Sequence, residues 1–235
     1  MTAKAVELAR ERERGCLEVL LDLQDLEAVV VGGFALSAYG PPRFSVDLDL
    51  VVPSAGAAQI SERLNRRGYV FDRRWHGGQA FVGASEHWKS GPLSVDLLID
   101  GVNDRRSGAT FAWTEVRRTA TRRPVRGLAS DISVTPLVAA REVLLAMKLV
   151  AGRFVDLRDV AVLSSGPLDE EELARLLANC PEGHVRANAV RLASSLDNQN
   201  FRDSLKGVYR MDDRAFNRYV VSTRALCRRL VDRLG

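Results

Sequence analysis

The sequence predicts an α+β fold, a mixed sheet flanked by helices and followed by a C-terminal helical region. Three observations carry that expectation. Up to about residue 130, apolar stretches of strand length are broken repeatedly by Gly and Pro. Beyond it, apolar residues recur at helical spacing almost without interruption. The 235 residues, 46% hydrophobic and 27% charged, have the balance of a globular chain with an ordinary core. The change of pattern sets the domain organisation: a core with an N-terminal helix over 1–130 and a helical region over 131–235.

Taken in order, residues 3–26 mix charge with Val6, Leu8, Leu17, Leu20, Leu21 and Leu26 and read as a packing helix weakened at Gly15. Residues 28–31 form a short apolar strand closed by Gly32-Gly33, and 34–39 leave room for a short helix before Gly40-Pro41-Pro42. A second strand spans 45–52 and stops at Pro53; Ser54 opens a helix to Arg67, and Gly68 ends it. Further strands are expected at 69–72, 79–82, 93–99, 114–120 and 124–128. Thr135 can cap a helix that has Pro136 in its first turn and runs to Val150. Helices then follow over 155–164, 169–179, 184–196, 201–209 and 213–234.

Composition excludes several classes. No apolar run is long enough to cross a bilayer, so no membrane partner is expected. Met1 to Arg14 lacks the apolar stretch and cleavage site of a secretory signal, which makes a cytoplasmic location the expectation. Cys16, Cys180 and Cys227 lie far apart and read as buried thiols, while His76, His87 and His184 have no zinc-ligand spacing. The net charge of +4 is compatible with an anionic partner without identifying one.

Chemistry concentrates in Ser45-Val46-Asp47-Leu48-Asp49-Leu50-Val51-Val52. Strand alternation puts Val46, Leu48, Leu50 and Val52 on one face and Ser45, Asp47 and Asp49 on the other. Like charges on one face repel unless a cation lies between them, and magnesium bound to a triphosphate is such a cation. Upstream, Gly32-Gly33 joins a strand to a helix, and its missing side chains let backbone N–H groups approach phosphate oxygens; Ser37 offers a hydroxyl one turn later. An Asp-x-Asp alone fits a solvated strand edge, and Gly-Gly alone fits a tight turn. Together with Arg43, in the run GGFALSAYGPPRFSVDLDLVV, their order and spacing resemble the signature of the DNA polymerase beta-like nucleotidyltransferase superfamily.

That resemblance implies a nucleotidyltransferase-fold sheet in which Asp47 and Asp49 hold one or two Mg2+ ions beneath a nucleoside triphosphate bound by Gly32, Gly33, Ser37 and Arg43. The superfamily also adds a third carboxylate from a neighbouring strand. Alternation over 93–100 sets Leu93, Val95, Leu97 and Ile99 against Asp96 and Asp100. Asp96, among apolar neighbours, needs a metal or a basic partner, whereas Asp100 at the strand end reads as a turn residue. The resemblance then makes Asp96 a third metal ligand or the base toward the attacking hydroxyl.

The stretch Ala146-Met147-Lys148-Leu149-Val150-Ala151-Gly152-Arg153-Phe154-Val155-Asp156-Leu157-Arg158-Asp159 resembles the lysine and Asp-x-x-Asp segment of AbiEii-type nucleotidyltransferases, the enzyme half of type IV toxin–antitoxin systems. Physically, Lys148 leaves an apolar helix to supply a point charge to the triphosphate, and Asp156 and Asp159 share a helical face from which they orient it or Arg153. Lys148 and Asp159 thereby join the catalytic set, and Lys148 the nucleotide site. Val155 departs from the family, which has Lys or Arg there. The resemblance further implies tRNA as acceptor and an antitoxin protein as partner. Arg117, Arg118, Arg122, Arg123 and Arg126, on an expected hairpin, are the candidate RNA contacts, although no aromatic residue is interleaved for stacking. A small-molecule, aminoglycoside-like nucleotidyltransferase and a non-catalytic nucleotide-binding module are the competing readings; the complete acidic set argues against the second.

Overall fold

The computed structural model describes residues 3–76 and 82–233, which divide into two compact units. The first unit comprises Met1–Ala38, Pro42–Asn103 and Thr110–Ala140. It opens with α1 (Ala3–Asp22), β1 (Val29–Val30), α2 (Gly32–Ala35) and a 3-10 turn, Leu36–Ala38. Next come β2 (Asp47–Val52), α3 (Ser54–Arg66), β3 (Val70–His76), β4 (Ala84–Ser90) and β5 (Leu93–Ile99). Short elements complete it: β6 (Gly101–Asn103), β7 (Thr110–Ala112), α4 (Trp113–Arg118), β8 (Thr121–Arg122), β9 (Val125–Arg126), β10 (Ser133–Val134) and β11 (Leu137–Val138). Among the described residues seven strands form one mixed sheet in the order β3-β4-β5-β2-β1-β11-β8, with β2 parallel to β5 and β1 parallel to β11.

The centre of this sheet follows from period-two alternation. Leu48, Leu50 and Val52 of β2 and Val95, Leu97 and Ile99 of β5 are all buried, each contributing about 1.5–3 kcal/mol relative to an exposed side chain. Packed against β5, α3 contributes Ile60 and Leu64 to the core. Gly15 is a packing requirement of α1: a Cβ there would lie 2.6 Å from Leu93 Cδ2. Two residues before it, the buried Glu13 carboxylate accepts the backbone N–H groups of Leu128 at 2.6 Å, Ala129 at 2.7 Å and Ser130 at 3.0 Å, fixing the loop between β9 and β10 against α1.

Several expected elements change type or extent. The strand expected at 114–120 is helix α4 instead, because the Glu115 side chain accepts the Ala112 N–H at 3.3 Å and fixes a helical first turn. The helix expected from Thr135 begins only at Arg141, since Leu137 and Val138 pair in parallel with Val29 and Val30 and so belong to the sheet. β4 was not anticipated at all, residues 124–128 reduce to Val125–Arg126, and residues 79–81 lie outside the described residues. The sheet therefore continues past residue 130, and the second unit takes over at Arg141.

That second unit comprises Tyr39–Pro41, Asp104–Ala109 and Arg141–Gly235. Its helices are α5 (Arg141–Ala151), α6 (Phe154–Leu163), α7 (Glu170–Ala178), α8 (Glu182–Ser195), α9 (Gln199–Tyr209) and α10 (Asp213–Arg233). Side-chain caps mark their starts: Asp169 accepts the Glu172 N–H at 3.0 Å, and Asn198 accepts those of Asn200 at 2.9 Å and Phe201 at 3.3 Å. At the end of α5, Gly152 turns the chain with φ +55°, and Asn188 donates to the carbonyls of Leu149 and Val150 at 2.7 and 3.3 Å. Among the described residues no helix is long and apolar enough to cross a membrane.

Candidate nucleotide and metal site

The parallel register of β2 and β5 sets Asp47 beside Ser94 and Asp49 beside Asp96. Because partners in a ladder point to the same side, the three aspartates share one half-exposed face while the intervening leucines and valines are buried. Two neighbouring side chains steady this face. The Ser94 hydroxyl donates to Asp47 Oδ1, and His87 of β4, opposite Asp96 in the antiparallel register, places Nδ1 2.6 Å from Asp96 Oδ1. Beneath it, the buried Cys16 thiol is pushed up to about 12, chiefly by burial and then by the negative charges of Asp47 and Asp49. All three cysteines are buried and unbridged.

Gly32, with φ +64°, sits so close to Asp49 that a Cβ would collide with its Oδ2. Only glycine serves there, both for the backbone angle and for the approach. Gly33 stands against Ser45 Oγ and 3.2 Å from Arg43 Nη1, measured from where its Cβ would be, so the Arg43 guanidinium borders the turn. Arg43 Nη1 also donates to the Phe44 carbonyl at 3.0 Å. Ser37 is committed within the fold: its hydroxyl donates to the Phe34 carbonyl at 2.9 Å and accepts the Arg126 N–H at 3.1 Å. Asp100 has φ +60° and accepts the Ser54 N–H at 2.8 Å, the turn role expected of it, at the entrance of α3.

Among the described residues no three Asp, Glu, His or Cys side chains stand together closely enough to hold a metal ion unaided. The donor chemistry fits magnesium nonetheless. Mg2+ takes hard oxygen ligands, commonly one or two carboxylates, and completes its shell with water and substrate phosphates. Asp47 and Asp49, on one face beside a turn without side chains, offer such a half-shell.

In the second unit, Lys148 of α5 is buried with its Nζ 2.9 Å from Asp156 Oδ1 and 2.8 Å from Asp159 Oδ2, both on α6 and both fully buried. Arg153 closes on Asp156 through Nε at 2.6 Å and Nη2 at 3.2 Å, and the Tyr209 hydroxyl donates to Asp159 Oδ1 at 2.6 Å. Burial pushes the Asp156 carboxyl up, but the Arg153 hydrogen bonds and the charge of Lys148 outweigh it and hold the group below its ordinary value. The expected pairing of Lys148 with these aspartates is present, and it is saturated.

The arginine stretch is not one hairpin. Arg117 and Arg118 lie on α4 and Arg122 on edge strand β8, with Arg126 on β9. Arg117 is engaged by Glu27 at 2.6 Å, and Arg122 Nη2 donates to the Gln24 carbonyl at 2.8 Å. Arg123 Nε donates to the Thr121 hydroxyl at 3.1 Å. Sequence reasoning missed His87, Ser94 and Tyr209. Ser94 alternates in phase with Asp96 and was within reach of the strand pattern; His87 lies on the unanticipated strand, and Tyr209 depends on helix packing.

Paired aspartates on one face beside a glycine turn are the arrangement expected of a nucleotidyltransferase-type site. Residues 18–80, which carry the glycine turn and the Asp47/Asp49 strand, match the family model described as nucleotidyl transferase AbiEii toxin, type IV TA system, bearing out the AbiEii-like resemblance for that part of the chain. Among solved structures, the chain is similar to MenT4, a nucleotidyltransferase toxin from Mycobacterium tuberculosis H37Rv, at 16% identity and a TM-score of 0.46, over 94% of this chain and 84% of that one. No curated protein matches.

Proposed function

We propose that the chain is a magnesium-dependent nucleotidyltransferase that moves a nucleoside monophosphate from a nucleoside triphosphate to an acceptor RNA, as the toxin of a type IV toxin–antitoxin pair. The observation that carries this reading is the register of β2 and β5, which gathers Asp47, Asp49 and Asp96 on one face next to Gly32. Asp47 and Asp49 would hold the metal, which supplies charge neutralisation to the triphosphate when bound. The Gly32-Gly33 turn admits the phosphate chain and Arg43 borders it. Ser94 fixes the orientation of Asp47. Asp96, held at one oxygen by His87, keeps its other oxygen to accept the proton of the attacking hydroxyl. Lys148 and Asp159 belong to this reading through the AbiEii resemblance, as does tRNA as the acceptor.

Incubation with each labelled triphosphate, Mg2+ and total RNA tests the reading. Label should enter RNA of tRNA size with one triphosphate preferred, and Asp49→Asn should reduce transfer by about a thousandfold or more, the scale of several kcal/mol of lost charge stabilisation. Label appearing on a small aminoglycoside-like acceptor instead, or full transfer by Asp49→Asn, would overturn it.

A further inference from the structure

Helix α10 carries a second basic feature that the nucleotide chemistry does not use. Arg214, Asn217, Arg218, Val221 and Ser222 recur at the spacing of a single helical face and, with Tyr219 and Ser165, line an open hollow of about 990 Å³. Arg214 and Arg218 are one turn apart, an arrangement in which like charges repel. Elsewhere on the same helix that repulsion is answered: Arg224 meets Asp197 at 2.5 Å, and Arg229 meets Glu170 at 3.1 Å. At the hollow it is not. The carboxylates that precede Arg214 in the chain are already engaged, Asp212 by the Ala215 N–H at 2.7 Å and Asp213 by Lys206 at 3.0 Å and Arg202 at 3.1 Å. Neither Arg214 nor Arg218 has a hydrogen bond or ion pair among the described residues, and Val221 beside them is 69% exposed.

We propose that this face of α10 binds single-stranded acceptor RNA, with Arg214 and Arg218 on adjacent phosphates and the half-exposed Tyr219 ring beside a base. Two planar guanidinium forks match phosphate oxygens in pairs, and an aromatic ring next to them supplies the stacking surface single strands require. The combination is the one lacking in the arginine stretch from Arg117 to Arg126, where Arg117 and Arg122 are already engaged within the fold. The assignment of RNA as ligand rests on the proposed transferase reading.

The experiment measures binding of a labelled single-stranded RNA to the full chain carrying Asp49→Asn, so that affinity is read without turnover, across a salt series. Arg214→Ala with Arg218→Ala should lower the slope of log affinity against log salt by about 1.4, about 0.7 for each lost phosphate contact. Tyr219→Ala should weaken binding at every salt, and Tyr219→Phe should restore it. Arg186→Ala, a single exposed charge on α8, should change the slope little. An unchanged slope in the double variant, or double-variant binding lost only toward an acidic protein and not RNA, overturns the proposal. Should RNA bind as described while no triphosphate labels any RNA, the transferase reading fails and the surface stands; should labelling proceed normally in Arg214→Ala/Arg218→Ala, the surface fails and the transferase reading stands.

Discussion

The two acidic centres of the chain are built on opposite terms. On the β2/β5 face, Asp47, Asp49 and Asp96 are half-exposed, and Asp47 and Asp96 are met by a hydroxyl and an imidazole. Between α5 and α6, Asp156 and Asp159 are completely buried and are met by Lys148 and Arg153, with Tyr209 completing the set. A carboxylate removed from water needs its cation within the fold, whereas one left at the surface can wait for a cation brought by a ligand. The helical centre is compensated by charges within the fold, and under the proposed function the strand centre receives an external one.

The comparison breaks most visibly at Lys148. Lys148→Ala leaves two buried carboxylates with one fewer cation and should cost about 3–5 kcal/mol, read from urea unfolding; Lys148→Arg should recover only part, since a planar fork replaces a point charge. A loss below 1 kcal/mol would mean that the cluster is not a closed ionic core. The same centre fixes an acid limit. The folded Asp156 carboxyl lies below the 3.8 of the unfolded chain, so its stabilisation is complete above that value and is lost as pH falls through the folded one. Unfolding free energies between pH 5 and pH 2 should show that decline in the wild type and a weaker one when Arg153→Ala removes the largest favourable cause.

A smaller effect is expected at Tyr209→Phe, which removes one donor from buried Asp159 and should cost about 1–3 kcal/mol in the same measurement. Smallest of all is Arg117→Ala. Its pair with Glu27 is substantially exposed, and the change in stability should stay under about 1 kcal/mol.

The strand centre was legible in the sequence because alternation is a local signal: Leu48 and Leu50, like Val95 and Leu97, fix which way the aspartates between them point. The helices Glu170–Ala178 and Gln199–Tyr209 were legible too, from apolar residues at helical spacing, although their caps Asp169 and Asn198 were not singled out. What escaped depends on distant partners. In β4, the buried phase is Ala84, Glu86 and Trp88, and a carboxylate in the inward phase hides the alternation; Glu86 is tolerated there because Trp88 Nε1 donates to it at 3.1 Å and Arg74 lies at 3.5 Å. Thr135-Pro136 looks like a helix start, but the docking of Leu137 and Val138 along β1 outweighs that local preference. Nothing local in the sequence sets Arg214 and Arg218 apart from the other arginines of the helical region; the engagement of Asp212 and Asp213 by other groups does.

Chemical unfolding of the wild type and of Asp47→Asn/Asp49→Asn, each with and without Mg2+ and a nonhydrolysable triphosphate, tests the central claim most directly. If the strand face is held ready for an external cation, Mg2+ with triphosphate should raise the wild-type unfolding free energy in a concentration-dependent way and leave the variant unmoved, since only a ligand bound to the folded state stabilises it. Without metal, the variant should be at least as stable as the wild type, because two like charges have been removed from one face. Equal stabilisation of both proteins, or a variant markedly less stable without metal, would contradict the account.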